Sequence, residues 1–284
     1  TSTGMSWVKV PLIWKEGASP DSVKGVIEQI HAGGLKALLQ ISGDPVDMAG
    51  DYAHYDDDYV NFLSAVAALA PDAIEVWGGE NVPDNWAAGQ IDPTAYTQLL
   101  TSAYRAIKQA NGHVLVITGA LAQTIAYNGT CSAAGCDDVP YLIAMASAGA
   151  GQAADCIGVN YTLGSTSPDQ TANDSRGNQY VYYYQLVVST YASIFPSKPL
   201  CFTGLGYLVP SADSTDTPWA SKTTPENRAN WIARASQLAA QSGRVLMLIV
   251  YNLDETDGQA ANYAILGADG SCSACDKLNT TLRG

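Results

Sequence analysis

The chain has 284 residues, 47% of them hydrophobic, which is enough for a sizeable core, and a mean hydropathy of -0.01. Only 14 Lys and Arg stand against 27 Asp and Glu, a net charge of -13 that excludes phosphate-neutralising nucleic-acid binding and disfavours an anionic membrane surface. No apolar run approaches the ~18–20 residues needed to cross a bilayer, and Thr1-Ser2-Thr3-Gly4 is not a signal peptide, so any leader is expected to have been removed.

In chain order, Ser6 to Trp14 reads as a strand, and Ser19-Pro20-Asp21 caps a helix with apolar spacing at Val23, Val26, Ile27 and Ile30 that ends at Gly33-Gly34. Leu35 to Ile41 is the next strand, with Asp44-Pro45 forming a turn, and residues 57 to 70 form a helix. The apolar run from Ala73 is a buried strand that stops at Gly78-Gly79 and opens into a loop with Glu80, Asn81 and Asp84. A helix from Pro93 to Ala110, a strand from His113 to Gly119 and a helix from Val139 to Ala148 follow. Then come a strand at Cys156 to Tyr161, a polar loop at 162–180, a Tyr-rich helix at 181–195 and a strand at Pro199 to Gly206. The helix Pro225 to Gln241 and the strand Arg244 to Asn252 complete the alternation. Strands alternating with helices imply a parallel sheet covered on both faces, and the long loops after strands mark the functional side of an α/β barrel. About seven strand–helix units are legible where a closed barrel wants about eight. No linker divides the chain, so a single domain over residues 1–284 is expected.

Cys131 and Cys136 bracket Ser-Ala-Ala-Gly, and Cys272 and Cys275 bracket Ser-Ala. Both pairs lie in small-residue loops where a local disulfide can close, which favours an oxidising, extracellular compartment. A zinc reading would need further soft ligands, and His31, His54 and His113 are scattered, so no metal and no cofactor are expected. Cys156 and Cys201 fall in strands and read as buried thiols. Asn128, Asn173 and Asn279 each open a glycosylation sequon, a pattern that chance often produces.

The segment Ile74-Glu75-Val76-Trp77, with Asn81 and Trp86, resembles the fourth strand of the clan A glycoside hydrolases, particularly the family 39-like bacterial ones. In that family the strand ends in Trp-Asn-Glu, and the Glu is the general acid/base; here Gly78 and Gly79 hold those places. The resemblance further matches Trp7 to Val10 with the second strand, Leu200 to Gly206 with the seventh and Val245 to Asn252 with the eighth. It covers nearly the whole chain, including Cys131 to Asp138 and Asp269 to Asp276. It implies a TIM (β/α)8-type barrel whose first strand and most of its helix are missing from these residues, Thr3 to Ser6 being the tail of that helix. Either the chain begins late, or the strand comes from elsewhere, or the barrel is open.

Retaining glycosidases work with two carboxyl groups about 5–5.5 Å apart. The family's nucleophile sits in a Thr-Glu-x-Gly setting, and here Thr203-Gly204-Leu205-Gly206 puts Gly204 in its place. Asn160 stands for a common His, Tyr251 for a common Trp and Ile13 for a frequent Arg. Glycine can neither donate a proton nor attack carbon, so the resemblance implies that both catalytic groups are gone. A sharp turn or close packing is the alternative account of Gly78-Gly79. Substitute acids are Glu80, which alternation points away from the acid/base position, and Asp254, Glu255 and Asp257, which a solvated acidic loop explains as well. Glu75 is either a paired barrel-interior acid or part of the lower core, and Lys9 a paired structural amine.

Trp77, Tyr127, Tyr161, Tyr207 and Tyr251 fall near the predicted mouth, as do Trp86 and Trp219, and such rings stack on sugar faces. Asn81, Asn160 and Asn252 could bond hydroxyls. The expectation is a non-hydrolysing, extracellular relative that binds carbohydrate or serves as a structural subunit, with self-assembly through the unpaired barrel edge. The alternatives are a repurposed or engineered enzyme with a carboxylate base, and an inactivated mutant of a retaining glycosidase.

Overall fold

The computed structural model describes residues 4–50, 52–211, 217–254, 258–267 and 269–283. The chain falls into two compact units: residues 6–159 with 194–201, and residues 1–5 with 160–193 and 202–284.

The first unit opens with β1 (Trp7–Trp14), α1 (Asp21–Ala32), β2 (Lys36–Gly43), α2 (Pro45–Gly50), α3 (Tyr52–Ala68) and β3 (Ala73–Val76). It continues through α4 (Pro93–Ala110), β4 (Leu115–Thr118), the hairpin β5 (Cys131–Ser132) and β6 (Gly135–Cys136), and α5 (Asp138–Ser147). Strands β1 to β4 form a parallel sheet in sequence order, with Val10 opposite Leu39, Gln40 opposite Glu75 and Glu75 opposite Ile117. A parallel bridge carries Ile117 to Cys156 at the threshold of β7 (Ile157–Tyr161). All of β3 is buried, as a strand covered on both faces requires. Helix α4 starts on Asp92, whose carboxylate accepts the Thr94 N–H at 2.7 Å, with Pro93 in the first turn.

The second unit carries α6 (Tyr184–Ile194), α7 (Pro225–Ser242), β9 (Val245–Val250) and α8 (Ser273–Arg283), and the strand order β7-β8-β9 includes β8 (Leu200–Leu205). Thr224 caps α7 through Asn227 N–H at 3.1 Å, and Gly243 closes it at φ +61°. No helix among the described residues is long and apolar enough to cross a membrane.

Among the described residues β1 has one strand neighbour, β2, and β9 has one, β8. Lys36 N–H donates to Ser6 O at 2.8 Å, so the backbone groups of Val8, Val10 and Leu12 also face β2. Those of Trp7, Lys9, Pro11 and Ile13 face the unpaired side. Pro11 therefore lacks its N–H on the side where no described strand pairs with β1, the position a strand tolerates proline in. Ile13 is 64% exposed, and Leu246 on β9 is 56% exposed.

Several elements differ from the sequence reading. Asp44-Pro45 begins a helix, with Asp44 Oδ1 accepting Val46 N–H at 2.9 Å. Cys275 lies in the first turn of α8, where a loop was expected. Cys156 and Cys201 are a disulfide and not thiols, their Cα atoms 5.9 Å apart at the starts of neighbouring strands. The expected pairs Cys131–Cys136 and Cys272–Cys275 are both bonded.

Candidate functional site

In the first unit the strand ends gather polar groups in a buried layer. Glu75 is fully buried, its Oε2 2.7 Å from Lys9 Nζ and its Oε1 accepting Ala120 N–H at 3.1 Å. The register sets Gln40 beside it, and a Cβ placed at Gly78 would lie 2.1 Å from Gln40 Nε2. Glu75 and Lys9 are thus a paired interior acid and amine, with a charge partner already engaged.

Trp77 follows β3 at φ +74°, a conformation rare for a bulky residue. Its Nε1–H donates to Asn85 O at 2.6 Å, and its ring packs edge-on against Tyr59 and Trp86. It is fully buried and presents no face to a ligand. Asn81 is equally committed: Nδ2 donates to Ala122 O and Cys136 O at 2.9 Å each, and Oδ1 accepts Ala122 N–H at 2.8 Å. The side chain clamps the β5–β6 hairpin instead of facing a ligand. Tyr127 remains half-buried, its ring lying over Gly135, where any Cβ would strike it.

Gly79 sits at φ +69°, and a Cβ there would come within 2.3 Å of Asn85 Nδ2. Its backbone alone accounts for glycine. Glu80 is fully buried, and its Oε2 occupies the space a Cβ on Gly119 would need. Burial pushes its carboxyl up to about 8, the Glu75 charge adds to the rise, and the nearby Tyr96 hydroxyl opposes it. That hydroxyl donates to Val76 O at 2.9 Å and accepts Gly119 N–H at 2.6 Å. Glu80 is thus held against Gly119 and Tyr96 in the interior.

In the second unit the ends of β7, β8 and β9 bring together Asn160, Gly204, Tyr251 and Asn252. A Cβ on Gly204 would lie 2.9 Å from Asn160 Oδ1 and 3.6 Å from Tyr251 Cδ2, and no positive φ demands glycine there. Tyr251 is 39% exposed and meets Tyr263 edge-on at 5.3 Å, while the Tyr263 hydroxyl donates to Thr162 O at 2.9 Å. Asn252, at φ +62°, donates through Nδ2 to Ala260 O. Tyr161 and Tyr207 are buried: the Tyr161 hydroxyl donates to Tyr182 O, and the Tyr207 ring packs on Trp231. The candidates with some exposure are therefore Asn160, Tyr251 and Asn252 in this unit, and Tyr127 in the other. Asp254 is exposed, and Glu255 and Asp257 lie outside the described residues.

Sequence reasoning missed Arg176. Its guanidinium lies 3.8 Å from the Tyr182 ring centre and 4.1 Å from that of Trp219. It also grips Asp174 through Nε–Oδ1 and Nη2–Oδ2 at 2.9 Å each, and donates to Leu163 O. Burial works against the Asp174 carboxylate, yet the Arg176 and Ser165 donors hold it below its ordinary range.

Two clefts lie away from the strand ends. One of about 240 Å³ is lined by Trp7, Lys36, Asp72 and His113 at the starts of the first unit's strands. The other, of about 370 Å³, is lined by residues of α6 and α7. Glu16, His54 and Asp58 hold their ligand atoms within 4.8 Å of one another, a set that could take a cation, although exposed acidic groups often gather without one.

No protein-family model matches the chain, and no curated protein sequence matches it. Solved structures do. The glycoside hydrolase family 53 catalytic domain of Ignisphaera aggregans is similar with a TM-score of 0.67 at 14% identity, over 99% of this chain and 86% of that one. Fungal β-1,4-galactanases are similar with a TM-score of 0.65 at 14% identity, over 98% and 88%. A family 113 β-1,4-mannanase is similar with a TM-score of 0.58 at 11% identity, over 100% and 89%. Likeness at such identity establishes the fold: an α/β chain of the TIM-barrel type found in clan A glycoside hydrolases. The narrower likeness to family 39 rests on the sequence motifs alone.

Proposed function

We propose that the chain is a non-hydrolysing, extracellular carbohydrate-binding barrel of glycoside-hydrolase ancestry. Gly204 carries the reading. It occupies the nucleophile position by resemblance, its backbone could accept another residue, and its nearest neighbours are an amide and a tyrosine ring. Gly79 adds less, since its positive φ is reason enough for glycine. The buried acids do not replace the pair: Glu75 is bound to Lys9, and Glu80 is packed against Gly119. Asn160 and the part-exposed ring of Tyr251 supply a hydrogen-bonding group and an apolar face, the combination that holds a sugar. Bonded cysteines at all six positions fit an oxidising compartment.

The test offers β-1,4-galactan and β-1,4-mannan, the polymers named for two of the similar structures, together with aryl glycosides. Binding without turnover is expected, and Y251A should weaken binding by about 1 kcal/mol. Aryl-glycoside turnover at the level of active glycosidases would refute the reading, and absence of binding to any glycan would remove its carbohydrate half. Restoring acids separates recent inactivation from long divergence. The first carbon of the new side chain in G204E meets only the end of the Asn160 side chain closely, whereas G79E forces a side chain into a left-handed conformation at about 1–2 kcal/mol. Recovery of hydrolysis in the double variant would indicate recent loss.

A structural subunit is the second reading, favoured by the half-exposed apolar edge strands β1 and β9.

A further inference from the structure

We propose that Cys272 and Cys275 form a redox pair that exchanges two electrons with a low-molecular-weight thiol–disulfide couple. Of the bonded pairs, Cys156–Cys201 is fully buried at both residues, and Cys131–Cys136 joins an exposed residue to a fully buried one. Cys272 and Cys275 are both part-exposed, so a thiolate can approach their sulfurs. The bond closes across two intervening residues at the head of α8, an 11-residue helix. Cys272 stands where an N-cap residue would, and Cys275 N–H donates to its Sγ at 3.1 Å. When the bond opens, charge on the Cys272 sulfur therefore finds a backbone donor already aimed at it. Asp269 in the preceding turn and Asp276 in the first helical turn oppose that charge, and Lys277 favours it.

The step balances without another reagent. A partner thiolate attacks Cys272 Sγ, the S–S bond breaks, and Cys275 leaves as a thiolate and takes up a proton. A second partner thiolate then attacks the partner sulfur of the mixed disulfide and releases Cys272 as a thiolate. Two partner thiols have become a disulfide, and their two electrons reside on the Cys272/Cys275 dithiol. The reverse sequence reduces a partner disulfide.

The test incubates the full chain in glutathione redox buffers, quenches with acid, alkylates and maps each cysteine by mass. Cys272–Cys275 is expected to open in buffers that leave Cys156–Cys201 oxidised. In C275S, oxidised glutathione should add to Cys272 about 10-fold faster than it adds to Cys275 in C272S. A Cys272–Cys275 bond that stays closed until Cys156–Cys201 opens would overturn the proposal, and so would equal adduct rates in the two variants. The wild-type map decides the matter even if either variant folds poorly.

Discussion

Glu80 concentrates the chemistry of single residues in this chain. A carboxyl held at about 8 instead of its ordinary 4.5 binds its proton in the folded state across the window where the unfolded chain has released it. Its contribution to stability is therefore complete below about pH 4.5 and declines as pH rises towards 8. Asp56 acts in the same direction over a lower window, burial and then Asp57 raising it from 3.8 to about 7. The two separate above pH 7. Between pH 7 and 8 Glu80 should cost the wild type about 1 kcal/mol, and E80Q should keep only the shallower slope, a few tenths of a kcal/mol, that Asp56 leaves. Urea midpoints at closely spaced pH values check this, and an unchanged slope in E80Q would place the titration elsewhere. The burial of Glu80 was not legible, because the strand ends at Val76 and positive φ at Trp77 and Gly79 breaks the alternation before it. Nor was the fate of Trp77. Its φ of +74° swings the ring into the Tyr59–Trp86 cluster, and no pattern of residue types announces such a dihedral.

Among elements, β1 states its own position. Pro11 belongs to the set of residues whose backbone faces away from β2, a signal for an edge strand that periodicity alone passes over. If β1 stays open in solution, the amides of Val8, Val10 and Leu12 should exchange slowly with deuterium, and those of Trp7, Lys9 and Ile13 rapidly. Uniform protection along the strand would mean that another strand covers it, as assembly requires. Strands and long helices were readable because each carries an apolar run or stripe between strong caps. Helix α8 escaped notice because its first turn is Ser273-Ala274-Cys275, which reads as a loop of small residues. Helix α2 escaped because Asp44-Pro45 serves turns and helix starts equally.

At the scale of the molecule, the disulfide the sequence hides is the one expected to matter most for stability. Cys156 and Cys201 are 45 residues apart on different strands, and pairing at such a distance leaves no local trace. Closing a loop of that length restricts the unfolded chain by about 4 kcal/mol, so the C156A/C201A double variant should lose roughly that much in denaturant unfolding. Equal stability would mean that the bond is absent in solution. The fold class was legible from strand–helix alternation, and similar solved structures carry it over nearly the full chain. The candidate site was legible only as a set of positions. Which aromatic rings face outward depends on dihedrals and packing that residue identity does not encode.

The Arg176 sandwich changes how the long segment between β7 and α6 should be pictured. A stretch whose composition suggests slack is pinned near its far end by a cation wedged between two rings, and at its near end by Tyr263. A glycan arriving at Tyr251 would meet, beside Tyr263, a rim that this segment already holds in place.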